Sequence, residues 1–264
     1  REPNDISSYA ALACIAIQSN QNDQHGGQSV PIFDYAMAEG VKKTFRRLYT
    51  SNLAKAVSFT LGIEDYTEVL EEFKLIAGDI AKEYGLYPSL QNNDEYKAKE
   101  WEIASAKYGD EFSHLQDRAE KLAESETDRA TYQAMEALIH NLNTMNSRAG
   151  AQTPFSSVNY GTDFSPEGRM VIRELLSATI EGLGHGEVPV FPIQIFKVKE
   201  GVNYNPGDPN YDLFQLACRC SAKRLFPNYV FLDAPFNLQY YKPGHPETEV
   251  ATMGCRTRVM GNVY

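Results

Sequence analysis

The stretch PFSSVNYGTDFSPEGRMVIRELLSATIEGLG, residues 154–184, decides the fold. A short run of β-favouring residues gives way to a helical pattern. Ser165 is suited to cap that helix, Pro166 fits its first position, and Gly182 or Gly184 can end it. Downstream, VPVFPIQIFKV (188–198) is rich in β-branched and aromatic residues, DPNYDLFQLACRCSAKRLF (208–226) is helical, and NYVFLDAPF (228–236) is again strand-like. Strand, helix, strand, helix, strand at such spacing predicts βαβ units and a parallel sheet, with strands near 154–159, 190–198 and 229–233. The second part of the chain, 147–264, is therefore α/β.

Upstream the grammar is different, and residues 1–146 read as mainly helical. SYAALACIAIQSN is small and apolar throughout, and PIFDYAMAEGVKKTFRRLYTSNLAKAVSFTLG places Pro31 at a plausible first helical turn. Further helices are predicted at about 65–84, 94–124 and 127–146. The middle one, DEYKAKEWEIASAKYGDEFSHLQDRAEKLAE, carries many charges with apolar residues three and four apart, the pattern of a long amphipathic helix or helix pair on a solvated face.

Composition narrows the function. The 264 residues are 42% hydrophobic, enough for a sizeable core, and one domain is expected. With 35 acidic against 25 basic residues the formal charge is −10, opposite to the footprint of a nucleic-acid binder. A nucleoside triphosphate is compatible with such a charge, because helix N-termini and a few local cations can hold it. No apolar run is long enough to span a bilayer and the start, REPNDISSYAA, lacks a signal peptide's regions, so a cytoplasmic protein without a membrane partner is expected. The start at arginine and the end within an apolar pattern suggest an internal piece of something longer.

Several motifs bear on chemistry. GLGHGE (182–187) is glycine-rich but follows a helix and precedes a strand, the reverse of a dinucleotide-binding turn. In NYGTD, Asn159, Gly161 and Thr162 lie where a strand ends and a helix begins, a place where α/β sheets bind ligands and amides attract anions, though such loops are also plain connections. QNDQHGGQSVP (21–31), with His25 and paired glycines, is either a polar interhelical turn or a contact for substrate or phosphate.

Four cysteines are too few and too scattered for a disulfide framework. Cys14 reads as a core residue. Cys218 and Cys220 have no matching second pair, so structural roles are expected and no metal site is assigned. Cys255, in ATMGCRTRVMGNVY (251–264), stands apart between Gly254 and Arg256 on a loop feeding a strand, with no local motif of the cysteine-protease kind. A thiol buried beside methionine suits one-electron chemistry, although the spacing alone equally permits a structural role.

The strings SSYAALACIAIQSNQNDQHGGQS, SSVNYGTDFSPEGRMVIRELL, GLGHGEVPVFPIQIFKVKEGVNYNPGDPNYDLF, FPNYVFLDAPFNLQYY and TEVATMGCRTRVMGNVY closely resemble the catalytic subunit of anaerobic, glycyl-radical ribonucleoside-triphosphate reductases. The resemblance is least distinctive between about residues 64 and 144. It implies part of a ten-stranded α/β barrel, with Cys255 as the thiyl-radical cysteine at the tip of a loop inside the barrel and Met253 lining the same site; with the strands predicted above, that loop is expected to reach their C-terminal ends. It further implies a glycyl radical made by an S-adenosylmethionine iron–sulfur activase, deoxynucleotide and ATP effectors, and a homodimer. The ATP-binding cone, the glycyl-radical loop and the zinc site of such enzymes are expected outside these residues, so no cofactor is expected within them. The portion by itself is expected to be inactive. An effector-binding and dimerisation role for the helical part, or another glycyl-radical enzyme, are the alternatives.

Overall fold

The computed structural model describes residues 2–24, 26–145 and 153–259. The chain divides into two compact units, Arg1–Gly40 with Thr131–Tyr264, and Val41–Ala130.

The first unit holds the sheet. Helix α1 (Ile6–Asp23) leads into strand β1 (Gln28–Val30), and the later strands are β2 (Ser156–Tyr160), β3 (Ile193–Val198) and β4 (Asn228–Phe231). All are parallel and lie in the order β1-β2-β3-β4. Helix α6 (Pro166–Glu181) joins β2 to β3 and α7 (Tyr211–Arg224) joins β3 to β4. Ser165 caps α6 by accepting the Gly168 amide at 3.1 Å, with Pro166 next and Gly182 at the far end, as the sequence predicts.

Strand β1 was not anticipated, because its three residues sit in what reads as an interhelical turn. The described residues show a four-stranded parallel sheet and one antiparallel hairpin, a mixed α/β structure as expected.

Alternation sorts the sheet into two faces. Val158, Tyr160, Gln194 and Phe196 share the face that α6 and α7 cover. There Phe196 packs its ring against Phe214 of α7 and Tyr160, with centroids 6.0 and 5.7 Å apart. Two polar groups are buried on that face and satisfied: Tyr160 donates to Gln194 Oε1 at 2.7 Å, and Gln194 Nε2 donates to Thr179 Oγ1 of α6 at 2.7 Å. The opposite face carries Ser29, Ser157, Asn159, Ile193, Ile195 and Lys197. A mixture of that kind would be poor packing for a helix, and a loop lies there instead.

The second unit is helical. It holds residues 41–61 of α2 (Phe33–Leu61), residues 112–130 of α5 (Phe112–Thr144), and α3 (Tyr66–Tyr84) and α4 (Asp94–Tyr108). The predicted break near residue 125 is instead at 109–111, where Gly109 takes a positive φ of 82° and ends α4. Val69, Phe73, Ile76 and Ile80 of α3 recur at helical spacing and enter a core with Phe45, Tyr49, Leu53, Tyr96 and Phe112. Phe73, Tyr108 and Phe112 stack at centroid distances of 5.5 to 5.9 Å. Among the described residues no helix is long and apolar enough to cross a membrane.

One carboxylate is sealed inside this helical core. Glu100 is 1% exposed and accepts from Tyr49 at 2.8 Å, Tyr96 at 3.2 Å and Gln116 at 2.8 Å. Burial pushes its carboxyl from 4.5 up to about 7, against the downward pull of those three donors. Between these two values the folded protein holds a proton that the unfolded chain has released, so Glu100 makes stability fall as pH rises through that window. Thermal melts of wild type and Glu100→Gln from pH 4.5 to 7 are expected to show the variant gaining on wild type as pH rises. Parallel curves would contradict the assignment.

Candidate functional site

The site is built on the sheet face opposite α6 and α7. After β4 the chain passes through a short helix α8 (Pro235–Leu238) and a 3-10 turn (Pro246–Thr248), then crosses that face in the direction opposite to the strands. It ends in a hairpin of β5 (Ala251–Thr252) and β6 (Arg258–Val259).

Contacts hold this segment at three levels. At the C-terminal ends of the strands, Glu249 Oε2 meets Lys197 Nζ at 3.0 Å and accepts from Thr162 Oγ1 at 2.8 Å. Midway, Asn159 accepts the Thr252 amide at 2.9 Å and returns its Nδ2 to the Thr252 carbonyl at 3.0 Å, with Ser29 Oγ donating to the same carbonyl at 3.3 Å. At the N-terminal ends, Gly254 lies so close to the sheet that a Cβ there would stand 2.5 Å from Ile193 Cδ1 and 3.3 Å from Phe155. A larger residue at that level would have to displace the tip of the Ile193 side chain. Met253 lies nearby, its methyl 3.4 Å from where a Cβ on Gly27 would be.

Cys255 occupies the turn of the hairpin, which closes through Met253 N to Thr257 O at 2.9 Å and Arg256 N to Met253 O at 2.8 Å. Two sequence expectations are corrected here. The thiol is exposed rather than buried, and the loop carries it to the N-terminal ends of β2 and β3 rather than the C-terminal ends. The reason is directional: Glu249 is tied at the C-terminal ends, and the residues after it can only run back down the face. The Cys255 sulfur lies 3.4 Å from Thr257 Oγ1, and that contact lowers the thiol's pKa from its ordinary value. Cys14 and Cys220 are buried, as expected of packing residues, and Cys218 is exposed.

The amides of the NYGTD loop are already engaged. Asp34, at the start of α2 and 1% exposed, accepts through Oδ2 from Gly161 at 2.8 Å and from Thr162 and Asp163 at 3.1 Å each. This is the geometry of an anion-binding nest, filled by the protein's own carboxylate. Burial, followed by the negative charge of Asp34, pushes Asp163 up to about 6. Tyr35 is also raised, mainly by burial and then by the charge of Glu249. Asn203 and Asn210 tie the loops together by donating to the carbonyl of Gly161, at 2.9 and 3.1 Å.

Of the sequence candidates, the structure brings Asn159, Thr162, Met253 and Cys255 onto or beside one face. Gly161 and Thr162 have their amides turned to Asp34, and His25 lies outside the described residues. Sequence reasoning missed Asp34, Lys197 and Glu249. Lys197 did leave a trace, as a lone charge inside the apolar run of β3.

The geometry defines an α/β protein with a parallel sheet and, along one face of it, a hairpin that carries Cys255 at its turn. The chain matches the family described as anaerobic ribonucleoside-triphosphate reductase over residues 1–263, and it belongs to that family. It is 35% identical over 161 residues to the anaerobic ribonucleoside-triphosphate reductase of Enterobacteria phage T4, an alignment covering 61% of this chain and 24% of the relative. It is 34% identical over 143 residues to the proteins of the same name from Escherichia coli strain K12 and Salmonella typhimurium, covering 54% of this chain and 18% of each relative. The matched region is thus about a quarter or less of those proteins.

Removing Asp34 would leave three buried amides without an acceptor. At about 1–3 kcal/mol for each unsatisfied group, Asp34→Ala is expected to lose at least about 3 kcal/mol in a denaturant titration. Asp34→Asn, which keeps an acceptor oxygen, is expected to lose less. A loss under about 0.5 kcal/mol for the alanine variant would show that the nest is not supported this way.

Proposed function

We propose that the protein reduces ribonucleoside triphosphates to deoxyribonucleoside triphosphates by radical chemistry at Cys255, supplying DNA synthesis and repair. The observation that carries this reading is the hairpin turn. In a chain that matches the reductase family over residues 1–263, it sets an exposed thiol at the N-terminal ends of β2 and β3, two residues after Met253.

A glycyl radical, formed outside these residues by an S-adenosylmethionine iron–sulfur activase, supplies the oxidising equivalent. Cys255, as the thiyl, takes the hydrogen atom from C3′ of the ribose, so that the C3′–H bond breaks and an S–H bond forms. The 2′ hydroxyl leaves as water after gaining a proton. Two electrons from formate or a protein dithiol complete the reduction, and the sulfur returns its hydrogen to C3′. The exposed position at the N-terminal strand ends counts against this role, and the family match supports it. Control by deoxynucleotide and ATP effectors, a homodimeric state and a cytoplasmic location belong to the same proposal.

In the full-length protein, Cys255→Ser is expected to abolish deoxynucleotide formation in an anaerobic assay while the glycyl signal in electron paramagnetic resonance persists. Cys218→Ser is expected to leave turnover intact. A polypeptide of these residues alone, incubated with the activase and S-adenosylmethionine, is expected to give neither product nor signal. Full activity of the Cys255 variant would end the assignment.

A further inference from the structure

We infer that Asn159 is a positioning residue for the Cys255 thiol, its side-chain amide standing in for the strand that would otherwise pair with Thr252. The inference rests on Cys255 being the reactive cysteine. In an antiparallel hairpin, successive residues turn their N–H and C=O alternately toward and away from the partner strand. Met253 turns toward β6, giving its amide to Thr257 at 2.9 Å. Thr252 faces the other way, where a further strand would lie. Asn159 fills that place, with Oδ1 on the Thr252 amide at 2.9 Å and Nδ2 on its carbonyl at 3.0 Å. Asn159 is itself fully buried in β2, and its Nδ2 also reaches Ser29 Oγ at 3.1 Å, so the planar amide cannot swing away.

Few other side chains can do this work. A primary amide offers one donor and one acceptor, spaced to meet the N–H and C=O of a single residue, as a neighbouring strand does. The buried Lys197–Glu249 pair fixes where the segment starts across the sheet, three residues before Thr252. Asn159 fixes its register, and Cys255 follows three residues later through a turn closed by two backbone hydrogen bonds. A slip of one residue at Thr252 would turn Met253 and Cys255 to the wrong sides. The position of the sulfur therefore depends on one side chain in a different strand.

The test uses the full-length protein carrying Asn159→Asp, which keeps the acceptor but sets a carboxylate oxygen against the Thr252 carbonyl. Hydrogen exchange is expected to quicken in peptides spanning 251–259 and to stay unchanged in α6 and α7. Glycyl-radical yield and KM are expected to hold, while kcat falls by about ten- to a hundredfold, the scale of a small misplacement of reacting groups. Asn159→Ser, which adds no charge, is expected to behave in the same way and serves where the aspartate variant does not fold. Unchanged exchange in 251–259, faster exchange with kcat intact, a loss confined to KM, or collapse of the fold in both variants would each overturn the inference. A fully active Cys255→Ser alongside the expected exchange response would instead sink the role of Cys255 and leave the Asn159 contact standing.

Discussion

The arrangement of the site depends on a charged pair placed where charge is costly. Lys197 and Glu249 are 1% and 6% exposed at their side chains and meet at 3.0 Å on the sheet face opposite the helices. Removing both from water opposes folding, and leaving either one alone would oppose it by more. The pair is therefore weak evidence of stability, but it makes one position of the 249–254 segment far better than its neighbours. Thr162 adds a hydrogen bond to the same carboxylate, so the loop after β2 and the strand β3 grip one residue together. That grip sets the starting point and direction of the segment after Glu249, and Asn159 then sets its register.

A second carboxylate does comparable work at the end of β2. Three loop amides converging ahead of α6 would ordinarily attract an anion, and here Asp34 occupies them. That choice suits a chain with a charge of −10, because it satisfies the amides without drawing a diffusing anion into the loop. Burial, with the negative charge of Asp34 added to it, lets Asp163 hold its proton up to about 6.

The parallel strands and the helices between them were legible because their signals are local. Ser165, Pro166 and Gly182 mark α6 within the sequence itself, and β3 announces itself by composition. Strand β1 was not legible, since three residues carry too little pattern and its pairing with Ser156, Ser157 and Val158 spans more than a hundred residues. The break between α4 and α5 was misplaced because charged residues run on evenly past Gly109, whose φ of 82° ends the helix without a proline. At the site, the cysteine and methionine were found through resemblance, whereas Asp34, Lys197 and Glu249 are ordinary charges until the fold buries them. Nor could the exposure of Cys255 be read from its apolar neighbours, because the direction of the segment is set by a partner fifty-two positions earlier.

The most direct measurement is the distance between the Cys255 sulfur and C3′ of a bound ribonucleoside triphosphate, from a crystal structure of the full-length protein with substrate. Hydrogen transfer requires near contact, so the expected separation is about 3–4 Å with the hairpin still seated on Asn159. A ribose bound elsewhere, with the sulfur on the order of 10 Å or more from C3′, would contradict the central claim, because the atom could not then pass directly between them.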